Sequence, residues 1–100
     1  MALNVKWTLS AQKDRNKVFE YWNERTKSRD YSRKLNELIH QRISLIREYP
    51  SSGLKTDRPG VRFHLIARHY KLFYKIDGET VYLLRFWDTR QDPGKLKKRL

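Results

Sequence analysis

The chain has no cysteine among its 100 residues, which excludes disulfides and thiolate metal sites and fits a reducing cytoplasm. No apolar run approaches the roughly 18 to 20 residues that a membrane-spanning helix needs. The opening Met1-Ala2-Leu3-Asn4-Val5-Lys6-Trp7 lacks the basic-then-apolar order of a secretory signal. The expectation is a soluble cytoplasmic protein with no membrane partner. There is no internal repeat, no low-complexity tract and no cluster with metal-ligand spacing, so neither a metal nor another cofactor is expected. Carboxylates are scarce as well: 11 Asp and Glu stand against 23 Lys and Arg, a net charge of +12.

That excess is not a detachable tail. Residues 1–50 carry 11 basic and 6 acidic side chains, and residues 51–100 carry 12 and 5. A charge of this size on one small body attracts polyanions: nucleic acid, ribosomal RNA, an anionic membrane or an acidic protein. Small domains more commonly carry a net charge of about 2 to 8. Hydrophobic residues make up 38% and aromatics 13%, lean but sufficient for one two-layer core, so residues 1–100 form a single domain.

Leu3, Val5, Trp7 and Leu9 alternate with Asn4, Lys6 and Thr8, the pattern of a half-buried strand. Ser10 is placed to cap a helix, with Asp14 in its first turns, and Val18, Phe19, Tyr21 and Trp22 stripe the segment to about Lys27. Ser28 or Asp30 offers the next cap. Tyr31, Leu35, Leu38, Ile39, Arg42, Leu45, Ile46 and Tyr49 then recur at three- and four-residue steps until Pro50 ends the helix. Ser51 to Gly60 reads as a loop. Three strands follow, at Val61 to Ala67, Tyr70 to Ile76 and Val81 to Asp88, the last two joined through a tight turn at Asp77-Gly78. Asp92-Pro93-Gly94 breaks the chain before a basic tail at about 94–100. The order is β-α-α-β-β-β, an α+β fold. A helical hairpin covers one face of a mainly antiparallel sheet, and the polar set of strand residues is expected to face water on the other.

This order, together with three local signatures, resembles the RelE/ParE superfamily of toxins from type II toxin–antitoxin systems. The signatures are Leu9-Ser10-Ala11-Gln12-Lys13-Asp14 where strand meets helix, Tyr70-Lys71-Leu72-Phe73-Tyr74-Lys75-Ile76-Asp77 before the tight turn, and the closing Leu84-Arg85-Phe86-Trp87-Asp88-Thr89-Arg90-Gln91-Asp92-Pro93. The resemblance implies a cognate antitoxin that wraps the toxin in a hetero-oligomer. In the members that cut mRNA on the ribosome, basic residues recur on the later strands. By position they correspond here to a catalytic set of Arg62, His64, Lys71 and Arg90. Lys55, Arg58, Arg68, Arg85 and Trp87 are the matching candidates for holding RNA or its phosphates.

The chemistry is coherent with those residue types. Strand positions i and i+2 share a face, so Arg62 and His64 belong together. Cleavage through a 2′-hydroxyl needs a base, an acid and a cation. Imidazole titrates near neutrality and arginine forks hold phosphate, while Lys71 stands where the family usually has arginine and lacks that planar fork. A solvated strand face would show Arg62 and His64 equally well. Two departures weigh against a nuclease: Asp88 stands where several cutting relatives have histidine, and Gly94 to Leu100 lacks the C-terminal tyrosine of others. The leading expectation from the resemblance is a metal-independent, ribosome-dependent mRNA endonuclease that arrests translation; the alternative from the same superfamily is a ParE-like, non-enzymatic poison of DNA gyrase. A third is a degenerate toxin that only binds its antitoxin and represses its own promoter.

Overall fold

Thr8 ends the first strand and starts the first helix. The computed structural model describes residues 3–90; the expected basic tail at 94–100 lies outside them. β1 spans Asn4–Trp7 and α1 spans Leu9–Thr26. The Ala11 amide donates to the Thr8 hydroxyl at 3.2 Å, which satisfies one of the donors that every helix start leaves unpaired. That hydroxyl also lies 2.8 Å from the Leu83 carbonyl of the last strand. The cap is therefore Thr8 and not Ser10. Leu9, expected on the inward face of the strand, is the first helical residue and is 65% exposed. Thr8 itself keeps extended backbone (φ −69°, ψ 159°), and the helix that begins at Leu9 stops the strand before the alternation of the sequence does.

α1 closes on Lys27 in the left-handed conformation, and α2 spans Asp30–Glu48. Ser28 accepts from the Asp30 amide at 3.1 Å. α2 buries Leu35, Ile39, Ile43 and Ile46, a spacing that lines one helix face. Its last turn closes with the Tyr49 amide on the Leu45 carbonyl at 2.7 Å, immediately before Pro50.

β2 (Leu54–Lys55), β3 (Val61–Ile66), β4 (Tyr70–Asp77) and β5 (Thr80–Asp88) complete a sheet of order β1-β5-β4-β3-β2. All pairings are antiparallel except β1 with β5. The expected β-α-α-β-β-β, α+β architecture is the observed one, with β2 added inside the segment read as loop. The β4–β5 turn consists of Gly78 and Glu79, since Asp77 already pairs with Thr80. Gly78 has φ +61°, which places glycine at the first central position, as a type II′ hairpin requires.

The helices cover one face. Ile66, Tyr70, Leu72, Tyr74, Val81, Leu83 and Phe86 from the sheet meet Ala11, Leu35, Ile39, Ile43 and Ile46 from the helices. Each such buried aliphatic contributes about 1.5 to 3 kcal/mol relative to exposure. β5 is bulged: Tyr74 pairs with Leu83 but Phe73 pairs with Arg85, leaving Leu84 as the extra residue. The bulge shifts the alternation, so Val81, Leu83 and Phe86 share the helix side although their spacing is not uniformly two. Strict alternation along the strand would group Leu84 with Phe86. Leu84 packs instead with Val61, Phe63, Phe73 and Trp87 in a second apolar cluster on the opposite face.

Candidate functional site

Register decides which basic residues meet. On β3, Arg62 pairs with Tyr74, His64 with Leu72 and Ile66 with Tyr70, and those partners belong to the helix-side core. Arg62 and His64 therefore share a face, as the i, i+2 rule demands, but it is the face beneath the helices. Lys71 pairs with Leu65 on the other side. The single solvent-facing basic surface expected from Arg62, His64, Lys71, Arg85 and Arg90 is not formed. The reason is burial: Ile66, Tyr70, Leu72 and Tyr74 must lie under the hairpin, and the period of two carries Arg62 and His64 with them.

Beneath the helices these two residues enter a polar clamp. The Tyr74 hydroxyl donates to the Pro50 carbonyl at 2.7 Å and accepts from the Gly53 amide at 2.9 Å. Arg62 Nη1 donates to the Gly53 carbonyl at 2.9 Å. His64 Nε2 lies 2.9 Å from Ser52 Oγ, and its ring stacks on Tyr74 with centroids 5.9 Å apart. A Cβ on Gly53 would sit 2.6 Å from the Tyr74 hydroxyl, so the close approach of this loop requires glycine. His64 is 8% exposed. Burial pushes its imidazole below the ordinary value, and the positive charge of Arg42 on α2 pushes it the same way. A hydroxyl–imidazole pair at this distance is what an activated nucleophile needs. Such a pair also needs a group that orients the second ring nitrogen, and among the described residues no hydrogen bond does so.

On the opposite face the candidates are occupied differently. Lys71 Nζ lies 4.5 Å over the Phe63 ring, a cation–π contact. Arg85 is gripped by Asp14 through Nε–Oδ2 and Nη2–Oδ1 bonds of 2.7 Å each, and the Phe86 amide donates to the same carboxylate at 3.1 Å. Trp87 is 4% exposed within the second cluster, which closes its ring to base stacking. Arg90 forks onto Asp88 at 2.7 and 2.9 Å. That pairing raises the Arg90 guanidinium and holds the Asp88 carboxyl below its usual range. Lys55, Arg58 and Arg68 are exposed on β2, in the following loop and in the β3–β4 turn.

The structure thus brings Arg62 and His64 together and separates both from Lys71. Ser52, Tyr74 and Asp14 carry the polar contacts at these positions, and sequence reasoning missed them. Asp14 and Arg85 are 71 residues apart, and no local pattern joins them. Nothing in the sequence around Tyr74 marks its hydroxyl off from those of the other tyrosines. Among the described residues no group of three or more His, Asp or Glu side chains is placed to hold a metal ion. No helix there is long and apolar enough to cross a membrane.

A two-helix hairpin on a five-stranded, mostly antiparallel sheet is also the fold of a chain from the "Chromosomal ParDE TA system from P. aeruginosa". The two superpose with a TM-score of 0.75 at 17% identity, covering 89% of this chain and 98% of that one. The family model described as the ParE toxin of type II toxin–antitoxin systems, parDE, matches residues 5–93. The chain belongs to this ParE toxin family. No curated protein sequence matches it.

Proposed function

We propose that this toxin acts without catalysis, by binding and poisoning DNA gyrase, and that a cognate antitoxin holds it silent in a hetero-oligomeric complex. The observation that carries this reading is the division of the candidate acid–base set. Arg62 and His64 are spent on the Pro50–Gly53 clamp, Lys71 lies on the other face against Phe63, and Arg90 is paired with Asp88. General acid–base cleavage of RNA needs its base, acid and cation within hydrogen-bond reach of one phosphodiester. Poisoning by docking needs only a complementary surface. The membership in the ParE family supports the same choice, and a basic chain silenced by a partner of opposite charge is electrostatically coherent.

The test is pulse-labelling after induction. DNA synthesis is expected to fall first, with a DNA-damage response and filamentation while protein synthesis continues. Purified toxin is expected to inhibit supercoiling by gyrase and to increase gyrase-linked DNA breaks. Immediate arrest of translation, with mRNA cut inside ribosome-bound codons, would establish the nuclease reading instead.

A further inference from the structure

The β3–β4 turn holds two consecutive residues, Ala67 (φ 52°) and Arg68 (φ 66°), in left-handed backbone. Cβ crowding disfavours this conformation for any L residue other than glycine, Asn and Asp being the usual exceptions. Hairpins that need it commonly use Asn-Gly. Such strain survives where the surroundings fix it, and it gathers at functional positions. The surroundings here are firm. Ile66 pairs with Tyr70, the Thr89 amide donates to the His69 carbonyl at 2.7 Å, and Trp22 Nε1 donates to the Tyr70 hydroxyl at 2.8 Å.

What this rigid turn presents is a guanidinium. Arg68 is exposed, with the exposed imidazole of His69 beside it. The Thr89–His69 bond brings the chain at Arg90, 53% exposed, beside the turn. Tyr21 lies within electrostatic reach of Arg90, and its hydroxyl accepts from Arg25 at 3.5 Å. One end of the molecule thus sets Arg68 and His69 beside the Asp88–Arg90 pair, whose charges offset, with Arg25 of α1 on the Tyr21 side. Asp88 is committed to Arg90, and Arg68 makes no ion pair among the described residues.

We infer that this end is a phosphate-binding tip, centred on Arg68, that grips the backbone of duplex DNA. Guanidinium forks match phosphate oxygens, and the charge of the whole chain steers a polyanion toward them. The turn itself carries no Trp, Tyr or Phe on which unpaired bases would stack, and the exposed ring near this end, Tyr21, has its hydroxyl on Arg25 and sits T-shaped against Trp22, so backbone contact to a duplex fits better than a single strand. The inference does not depend on gyrase being the target.

The experiment measures binding of the purified full chain to a labelled mixed-sequence DNA duplex as salt is varied, with thermal unfolding of each variant alongside. Arg68→Gly is expected to weaken binding several-fold and lower the salt slope by about 1. It should at the same time raise the melting temperature by about 4 °C or more as strain is relieved. Ala67→Gly should raise the melting temperature and leave binding unchanged. Lys6→Gln, an exposed charge paired opposite Tyr82 and well back from the tip, sets the effect of losing any one charge. The inference is overturned if Arg68→Gly costs no more affinity than Lys6→Gln, or if it fails to stabilise the fold. It is also overturned if the loss appears with polyglutamate or single-stranded RNA and not with the duplex.

Discussion

Asp14 on α1 and Arg85 on β5 close a two-point ion pair, 2.7 Å at each bond, with side chains only 15% and 10% exposed. The Asp14 carboxylate also receives the Phe86 amide, so one side chain docks the helix and finishes the edge of β5 beyond the end of β1.

Removing one partner of such a pair leaves a poorly solvated charge. Asp14→Ala should lower the unfolding free energy by about 3 kcal/mol. Replacing both with apolar residues, as in Asp14→Leu with Arg85→Leu, should recover a large part of the loss. Urea unfolding of the single and double variants measures this, and a single-variant loss below about 1 kcal/mol would show that solvent replaces the pair.

Thr8 caps α1 and touches β5 with one hydroxyl. Thr8→Val should cost about 1 to 2 kcal/mol, and Thr8→Ser should keep most of the stability because it keeps the oxygen. A larger loss in Thr8→Ser than in Thr8→Val would assign the effect to the methyl group and not to the cap.

The Tyr74 hydroxyl satisfies a buried amide and a carbonyl of the Pro50–Gly53 segment. Tyr74→Phe should cost about 1 to 3 kcal/mol by leaving the Gly53 amide unpaired. Gly53→Ala should destabilise by about 1 to 3 kcal/mol through overpacking against that phenol. Amide exchange at Gly53 should quicken in Tyr74→Phe more than amide exchange in α2, and a uniform change would argue against a local clamp.

His64 makes stability depend on pH. In the unfolded chain its imidazole titrates near 6.5, and in the folded chain burial and then Arg42 hold it lower. Protonation therefore favours unfolding. The contribution is complete above about pH 6.5 and is lost as the pH falls through that value toward the folded one. Melting temperature should decline as the pH falls below about 6.5, and His64→Gln should flatten that decline. Asp88, held below 3.8 by Arg90, adds a separate loss only as the pH falls below about 4.

Much of the fold was legible because apolar periodicity reports burial directly: α2 and β4 read almost as they stand. The site was less so. On β3 the two alternating sets, Val61, Phe63, Leu65 and Arg62, His64, Ile66, are both partly apolar, so alternation alone did not choose the inner face. Ile66 was the cue, and the two polar residues beside it hid that cue. On β5 the bulge at Leu84 reversed the phase halfway along, a change that a period of two does not carry. β2 is two residues long, too short for any pattern. The Asp14–Arg85 and Ser52–His64 contacts are tertiary and leave no mark on neighbouring sequence.

The parallel pairing of β1 with β5 has a consequence for how the protein is made. During synthesis the chain emerges from its N-terminal end, and β1 then has no neighbour to accept its backbone bonds. Both the Thr8 cap contact and the Asp14 ion pair wait for residues more than 70 positions later. Closure of the sheet is accordingly a late, long-range event, slow for reasons of loop entropy. A nascent toxin stays open until its last strand is out, which gives a partner that binds the unfinished chain time to act before the mature surface exists.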